Sequence, residues 1–324
     1  MSFKERLKKN YNLEDRHAIP FCLIMIGIPF VFFLVFWVYV NLDSILLAFQ
    51  DDYGNFTFDN IVKVFKTFTG EEDELYIKSV PVQSLGSILG RTVLLWFLVN
   101  VVCVLPSMLS SYILYKKIFG HYVFRMIFMI PSILAGIVWV AIMKKMVDPT
   151  GPVIALANAL GMSISDEVAT SGLLVSLDTS FTTIVVLNVL PHIVGFNIII
   201  SGAYARIPGE LFEVGRLEGV GFIHEFFRVS VPLVWPTVVV CMIGNLATVF
   251  TFDGQVYLYT ELQYNTGTIG AYLYLLTASI SNSNLQVNSY GYPAAVGVVL
   301  TAMTIPVVLL GKYGLERAVE PVEY

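Results

Sequence analysis

Charge is what this sequence has least of. Only 13% of its 324 residues are Asp, Glu, Lys or Arg, against 56% hydrophobic residues and a mean hydropathy of +0.74. Such a balance is too apolar for a soluble domain and belongs in a bilayer. Positive charge is not in excess either, with 19 basic residues facing 24 acidic ones, so nothing points to nucleic acid as a partner. Cysteine is scarce: Cys22, Cys103 and Cys241 each fall inside a separate apolar run and read as small buried side chains, with no disulfide and no metal site expected. The four histidines, His17, His121, His192 and His224, are scattered, and neither a zinc spacing nor a Ser-His-Asp or paired-carboxylate arrangement is present. A phosphate-binding loop is missing too. The only Gly-Lys pair, Gly311-Lys312, lacks the preceding glycine at the required spacing and is followed by Tyr313. An enzyme is therefore a poor reading of this chain alone.

What is present is a series of long apolar runs. They predict an all-α polytopic membrane protein with spans at about 19–40, 87–114, 123–143, 181–203, 233–252 and 293–310, each long enough to cross ~30 Å of hydrocarbon. Prolines inside these runs, such as Pro106 and Pro131, are tolerated because neighbouring groups in a bundle satisfy the freed backbone. Residues 1–18 form a basic head, and Trp37, Tyr39 and Asn41 follow the first run where a cleaved signal would carry small residues, so that run reads as an uncleaved anchor. Residues 19–324 make a single membrane domain, with an acidic external loop at 41–86. The run Ile269 to Ile280 is only about a dozen residues long and is expected to lie along the interface.

Six spans put both termini on one side. The head, the turn after the second span, the segment 204–232 and the tail carry 13 of the 19 basic residues, so these regions are expected on the cytoplasmic side.

The segment 204–232 is the one long charged stretch between two apolar runs. Pro208 can open a helix and Gly219 with Gly221 can close it. Leu211, Val214 and Leu217 then share one face while Glu210, Glu213 and Arg216 stay polar; a second short helix should present Ile223, Phe226 and Phe227 before Pro232 starts the next run. The spacing predicts an amphipathic helix-turn-helix hairpin at the membrane surface.

Those residues carry a resemblance. Glu213-Val214-Gly215, three residues, Gly219, nine residues, then Val229-x-Val231-Pro232 resembles the EAA motif of ABC importer permeases, with Val214 and Gly215 in place of two alanines. The words Ile207-Pro208, Glu210-Leu211, Leu217-Glu218-Gly219 and Pro232 with Pro236 are similar to the carbohydrate-importer branch. Phe56 with Asn60, and Phe124-Arg125 with Phe128 and Pro131, look like further words of that family. The resemblance implies the type I importer permease architecture in a bacterial or archaeal cytoplasmic membrane. It also implies a cytoplasmic ABC ATPase dimer that binds ATP and Mg, a second homologous permease and an extracytoplasmic solute-binding protein. The hairpin, through Glu210, Glu213, Val214, Gly215, Arg216, Gly219 and Pro232, would dock on the ATPase.

The translocation path is sought among polar residues inside the spans, where they are costly. Asn188 and His192 lie four apart on one face of the fourth span, with Asn197 below; Asn245 and Thr248 share a face of the fifth, with Asp253 at its outer mouth. Amides and aromatics suit sugar hydroxyls and ring faces. Bonding between packed helices is the competing role for the same residues. Two other readings stay open: the same architecture importing glycerol phosphate or a peptide, and an ion-driven carrier or membrane scaffold without ATPase partners.

Overall fold

The computed structural model describes residues 18–51, 53–69, 76–77, 80–81, 84–162, 165–212, 219–282 and 290–318. Its chain forms two compact units, residues 1–61 with 286–298, and residues 62–285 with 299–324.

The first unit contains helix α1, Phe21–Leu47, whose apolar side chains are exposed along most of its length. Its polar groups turn back on its own backbone: Asn41 Nδ2 donates to the Trp37 carbonyl at 2.6 Å and Ser44 Oγ to the Val40 carbonyl at 2.8 Å. In hydrocarbon, which offers no water, such return bonds are the cheapest way to keep a polar residue. Beyond α1 the chain doubles back. Phe49, Phe56 and Phe58 pack ring on ring with centroids 5.2 to 5.9 Å apart, and Asn60 Nδ2 donates to the Gln50 carbonyl at 2.7 Å. The Phe56 and Asn60 word thus closes this loop.

Helix α2, Asp59–Thr69, leads into the second unit, where β1, Tyr76–Ile77, pairs antiparallel with β2, Val80–Pro81. Then come α3 (Leu85–Tyr115), α4 (His121–Ile133), α5 (Gly136–Val147), α6 (Pro152–Ala159), α7 (Asp166–Ser171) and α8 (Ser180–Tyr204). They are followed by α9 (Phe222–Leu246), α10 (Val256–Thr260), α11 (Ile269–Asn282) and α12 (Gly291–Ala318). Two apolar clusters hold this unit together, and α3 and α8 run through both. At one end Met108 and Tyr112 of α3 meet Ile200 and Tyr204 of α8 and Val234 and Val238 of α9. At the other, Leu95 and Val99 of α3 meet Ile184 of α8, Val140 of α5, Val256 of α10 and Ala271 of α11.

Among the described residues five helices are long and apolar enough to cross a membrane, or six if the bent pair His121–Ile133 and Gly136–Ala159 counts as one. The expected continuous third span, 123–143, is therefore corrected. The chain bends by 105° after Ile133, with Leu134 and Ala135 extended. Pro131 has no N–H for the Ile127 carbonyl, and Ser132 Oγ bonds the Met129 carbonyl, so the last turn of α4 is loosened where Gly136 begins the next helix. The fifth span is corrected as well: α9 starts at Phe222, eleven residues before the expected 233, and ends at Leu246. Hydropathy located its apolar half only, because the charged first turns are helical too. A wide π turn at Phe226–Ser230 precedes Pro232, which has no N–H to give to the turn before it. The run Ile269 to Ile280 is too short to span, as expected, but it packs against α3 with Ile269, Ala271 and Tyr272 fully buried, so it belongs to the core and not to the interface. The Ile269 N–H donates to Thr92 Oγ1 of α3 at 2.9 Å.

At Gly270 the first turn of α11 meets backbone: a Cβ there would stand 2.6 Å from the Thr251 carbonyl oxygen and 3.0 Å from the Asp253 Cα. At Gly244 in α9 a Cβ would meet nothing within 4 Å. Gly270→Ala should therefore lower thermal stability in detergent by about 1 to 3 kcal/mol, the range for overpacking. Gly244→Ala, which gains helix propensity, should not lower it; equal melting temperatures for the two variants would contradict this packing.

Candidate functional site

The hairpin between α8 and α9 is built on a capped turn. Arg206 and Ile207 N–H groups donate to the carbonyls of Ala203 and Tyr204 at 3.1 Å, Pro208 follows, and 210–212 form a helical turn. Glu213, Val214, Gly215, Arg216, Leu217 and Glu218 lie outside the described residues. The chain returns at Gly219, whose φ of +73° is a left-handed conformation that a side chain opposes, so the glycine turns the backbone as its place in the motif requires. Open space surrounds it: a Cβ there would meet nothing within 4 Å. Gly221 is extended and immediately precedes α9. The expected second hairpin helix is thus the first turn of α9 itself.

Of Ile223, Phe226 and Phe227, only Phe226 is buried; Ile223 is 71% and Phe227 55% exposed. Phe212 and Glu225, both 4% exposed, were not singled out by the motif. Glu225 pairs with Lys116 at the end of α3. Around them the rings of Tyr112, Tyr115, Tyr204, Phe212, Phe222 and Phe226 form a continuous aromatic cluster with centroids 5.1 to 6.5 Å apart. The Tyr204 and Ser230 hydroxyls bond one another inside it. Aromatic spacing alone offers no sequence signal for this cluster, because its members come from three helices and the first arm of the hairpin. Glu210 and Leu211 remain exposed, and Pro232 sits in α9 behind the wide turn.

The five candidate path residues do not converge. Asn188 is buried in α8, and its Nδ2 donates to the Ile184 carbonyl at 2.9 Å; the His192 ring Nδ1 lies 2.7 Å from the Asn188 carbonyl oxygen. Both side chains thus bond their own helix. The Asn245 carbonyl receives Trp96 Nε1 of α3 at 3.0 Å and Thr248 Oγ1 at 2.9 Å, which ties the end of α9 to α3. Asn197, below Asn188 and His192 on α8, bonds a neighbouring helix by its side chain, accepting from Ser110 and Ser111 of α3 at Oδ1. Asn188 does reach the turn that carries Asp253: a Cβ on Gly254, whose φ is +59°, would be 3.6 Å from Asn188 Oδ1 and 2.6 Å from Leu95. The neighbouring Gln255 amide is pressed against Gly136 at the break between α4 and α5, 2.7 Å from where a Cβ would stand.

A cavity of about 590 Å³ is lined by Lys144, Asp148, Tyr259, Glu261, Gln263 and Tyr264 among others, and another of about 240 Å³ by Arg125, Phe128, Asn197 and Ser201 among others. Neither contains any of Asn188, His192, Asn245, Thr248 or Asp253.

Apolar helices, one pair of them sharply bent, with a left-handed glycine turn ahead of α9, thus frame the candidate site. The chain is 23% identical over 299 residues to the diacetylchitobiose uptake system permease protein NgcF of Streptomyces coelicolor, covering 89% of this chain and 80% of that protein. It is 23% identical over 304 residues to the probable ABC transporter permease protein YurN of Bacillus subtilis, covering 92% and 96%. A 109-residue stretch is 31% identical to the sulfoquinovosyl glycerol transport system permease protein SmoG of Agrobacterium fabrum, a third of each chain. No family model matches. Among solved structures, a bacterial alginate ABC transporter in complex with a periplasmic protein bound to an alginate pentasaccharide shares the fold, with TM-score 0.73 and 15% identity over 97% of this chain and 100% of that one. A second structure, of a bacterial ABC transporter importing alginate, gives 0.71 and 16% over 95% and 99%. The resemblance to ABC importer permeases holds over nearly the whole chain, and the relatives are transport components, not enzymes.

Asp253, just beyond α9, is an ionisable group on this path whose titration the fold shifts. Burial pushes its carboxyl above the usual carboxylate range, while the N–H groups of Gln255 and Tyr257 pull the other way, and its Oδ1 is buried without a partner. With the folded pKa raised, its contribution to stability is full below the unfolded value of 3.8 and is lost as pH rises through the folded value. Asp253→Asn should accordingly raise the melting temperature at pH 7 and reduce the fall in stability between pH 4 and pH 7, measured by thermal unfolding in detergent. A lower melting temperature at pH 7 would instead show that the carboxylate is stabilised by its surroundings.

Proposed function

We propose that the chain is the membrane-spanning subunit of an ATP-driven, binding-protein-dependent importer of a sugar or oligosaccharide. ATP and Mg are bound by a separate ABC ATPase dimer that docks on the hairpin, and a second homologous permease and an extracytoplasmic solute-binding protein complete the complex. Both termini and the hairpin face the cytoplasm, where the basic residues collect. The observation that carries this reading is the hairpin: a left-handed glycine joins its two arms, and the second arm keeps Ile223 and Phe227 exposed. Exposed apolar side chains on a short helix are what a groove on a partner can take up. Glu213 would fix the register by a charged hydrogen bond, with Glu210, Val214, Gly215 and Arg216 around it. Carbohydrate as the substrate class is supported by the uptake systems named for NgcF and SmoG and by the alginate transporters of like fold. Asn188, His192, Asn245, Thr248 and Asp253 remain the residues to test along the path.

The test is uptake and ATP hydrolysis by the reconstituted complex at matched permease levels. Gly219→Leu should insert normally yet lose most uptake, because the left-handed backbone costs a side chain about 1 to 2 kcal/mol and the added bulk enters the docking surface. Glu213→Ala should be milder, weakening ATPase association by about 1.5 to 3 kcal/mol. Normal substrate-stimulated hydrolysis and uptake with Gly219→Leu would remove the hairpin from the coupling role. Sidedness is checked separately: reporters fused after Gly120 and after His224 should read cytoplasmic, and one near Glu72 external.

A further inference from the structure

The aromatic cluster under the hairpin holds a charge pair that the EAA motif does not include. Lys116, the residue after the end of α3, meets the Glu225 carboxylate in the first turn of α9, and the two side chains are 14% and 5% exposed. Lys116 Nζ also stands 5.3 Å from the ring centroid of Tyr112 and 5.2 Å from that of Phe212. Its charge is therefore enclosed by two ring faces and a carboxylate. Phe212 belongs to the first arm of the hairpin and Glu225 to the second, so Lys116 is where both arms meet α3.

The remaining contacts in this cluster are mostly between rings, and apolar attraction is non-directional. Rings can slide by an ångström or two while the same area stays buried. A charge pair in a medium of low dielectric cannot, because its attraction falls steeply with separation and an uncompensated charge is left behind. We propose that Lys116 and Glu225 are a positioning pair that locks the hairpin to α3, so that displacement of the hairpin is passed to the spans and not dissipated in the aromatic cluster. The proposal rests on the coupling role of the hairpin, and it adds to that role two residues 109 positions apart in the chain.

The experiment uses the complex that copurifies with the chain, reconstituted in liposomes, and reads solute taken up per ATP hydrolysed. Lys116→Met with Glu225→Leu replaces the pair by apolar side chains of similar size, a change that generally preserves packing. This double variant should assemble, retain the ATPase and hydrolyse ATP, yet its uptake per ATP should fall about tenfold, a typical coupling magnitude. Exchanging the charges, Lys116→Glu with Glu225→Lys, should recover most of that ratio, and Lys116→Arg should keep at least half of it. An apolar pair that couples as the natural pair does would overturn the proposal, and so would a charge exchange no better than the apolar pair. Loss of assembly in both double variants would make the pair a folding element alone and overturn it as well. Failure of the unsubstituted chain to retain any ATPase would overturn the hairpin reading first, and is seen before any variant is made.

Discussion

A backbone amide inside a bilayer has no water to bond, and nearly every feature of this chain follows from that. It makes the apolar runs helical whatever their propensity, and it explains why Pro29, Pro106, Pro191, Pro236 and Pro306 sit within helices that continue past them. It also decides what polar side chains do. Asn41, Thr92, Asn100, Asn188 and Thr304 each bond the carbonyl four residues back, so a side chain that would otherwise be an unpaired group in hydrocarbon is satisfied within its own helix. Bonds to a different helix are fewer and mark the places where helices are fixed to one another: Trp96 to the end of α9, and Ser110 and Ser111 to Asn197 of α8.

The two ends of the second unit use that constraint differently. One end is closed by aromatic rings and a buried charge pair, a dense block in which α3, α8 and α9 meet. The other is built from short pieces: α10 and α11, the bend between α4 and α5, and the residues flanking α10, where Gln255 on one side and Glu261, Leu262, Tyr264 and Asn265 on the other take positive φ. Several non-glycine residues held left-handed in one segment are found where surrounding structure over-determines the backbone. At Gln255 the close packing of Gly136 supplies that constraint.

Most of the architecture was legible because hydropathy reports the one property a bilayer selects. It placed α1, α3, α8 and α12 to within a few residues at most of their ends, except where a charged or polar turn prolongs a helix, as at Leu47 and Ala318. It failed where a helix is apolar on one side of a junction only. The first turns of α9 carry His224, Glu225 and Arg228, which depress the hydropathy there, although the helical backbone runs on from Phe222 to Leu246. The bend at Leu134 was missed for the opposite reason, since apolar residues continue across it. In the candidate site, the left-handed backbone of Gly219 is what a tight turn there needs, a conformation glycine alone takes cheaply. Phe212, Glu225 and Lys116 were not found, since a contact between residues over a hundred positions apart leaves no periodic trace. Asn188 and His192 were correctly placed on one face, but whether they bond a solute, a neighbour or their own backbone is a matter of rotamer, which spacing does not encode.

The continuity of α9 has a geometric consequence. At 1.5 Å per residue its 25 residues make a rod about 37 Å long, and the wide turn at Phe226–Ser230 lies near one end, not in the middle. Its Leu246 end is pinned to α3 through Trp96, and its Phe222 end carries the second arm of the hairpin. Because Glu225 in that first turn is itself paired with Lys116, both ends of the rod are fixed to α3, and the two helices are cross-braced over most of their shared length and must tilt as one piece.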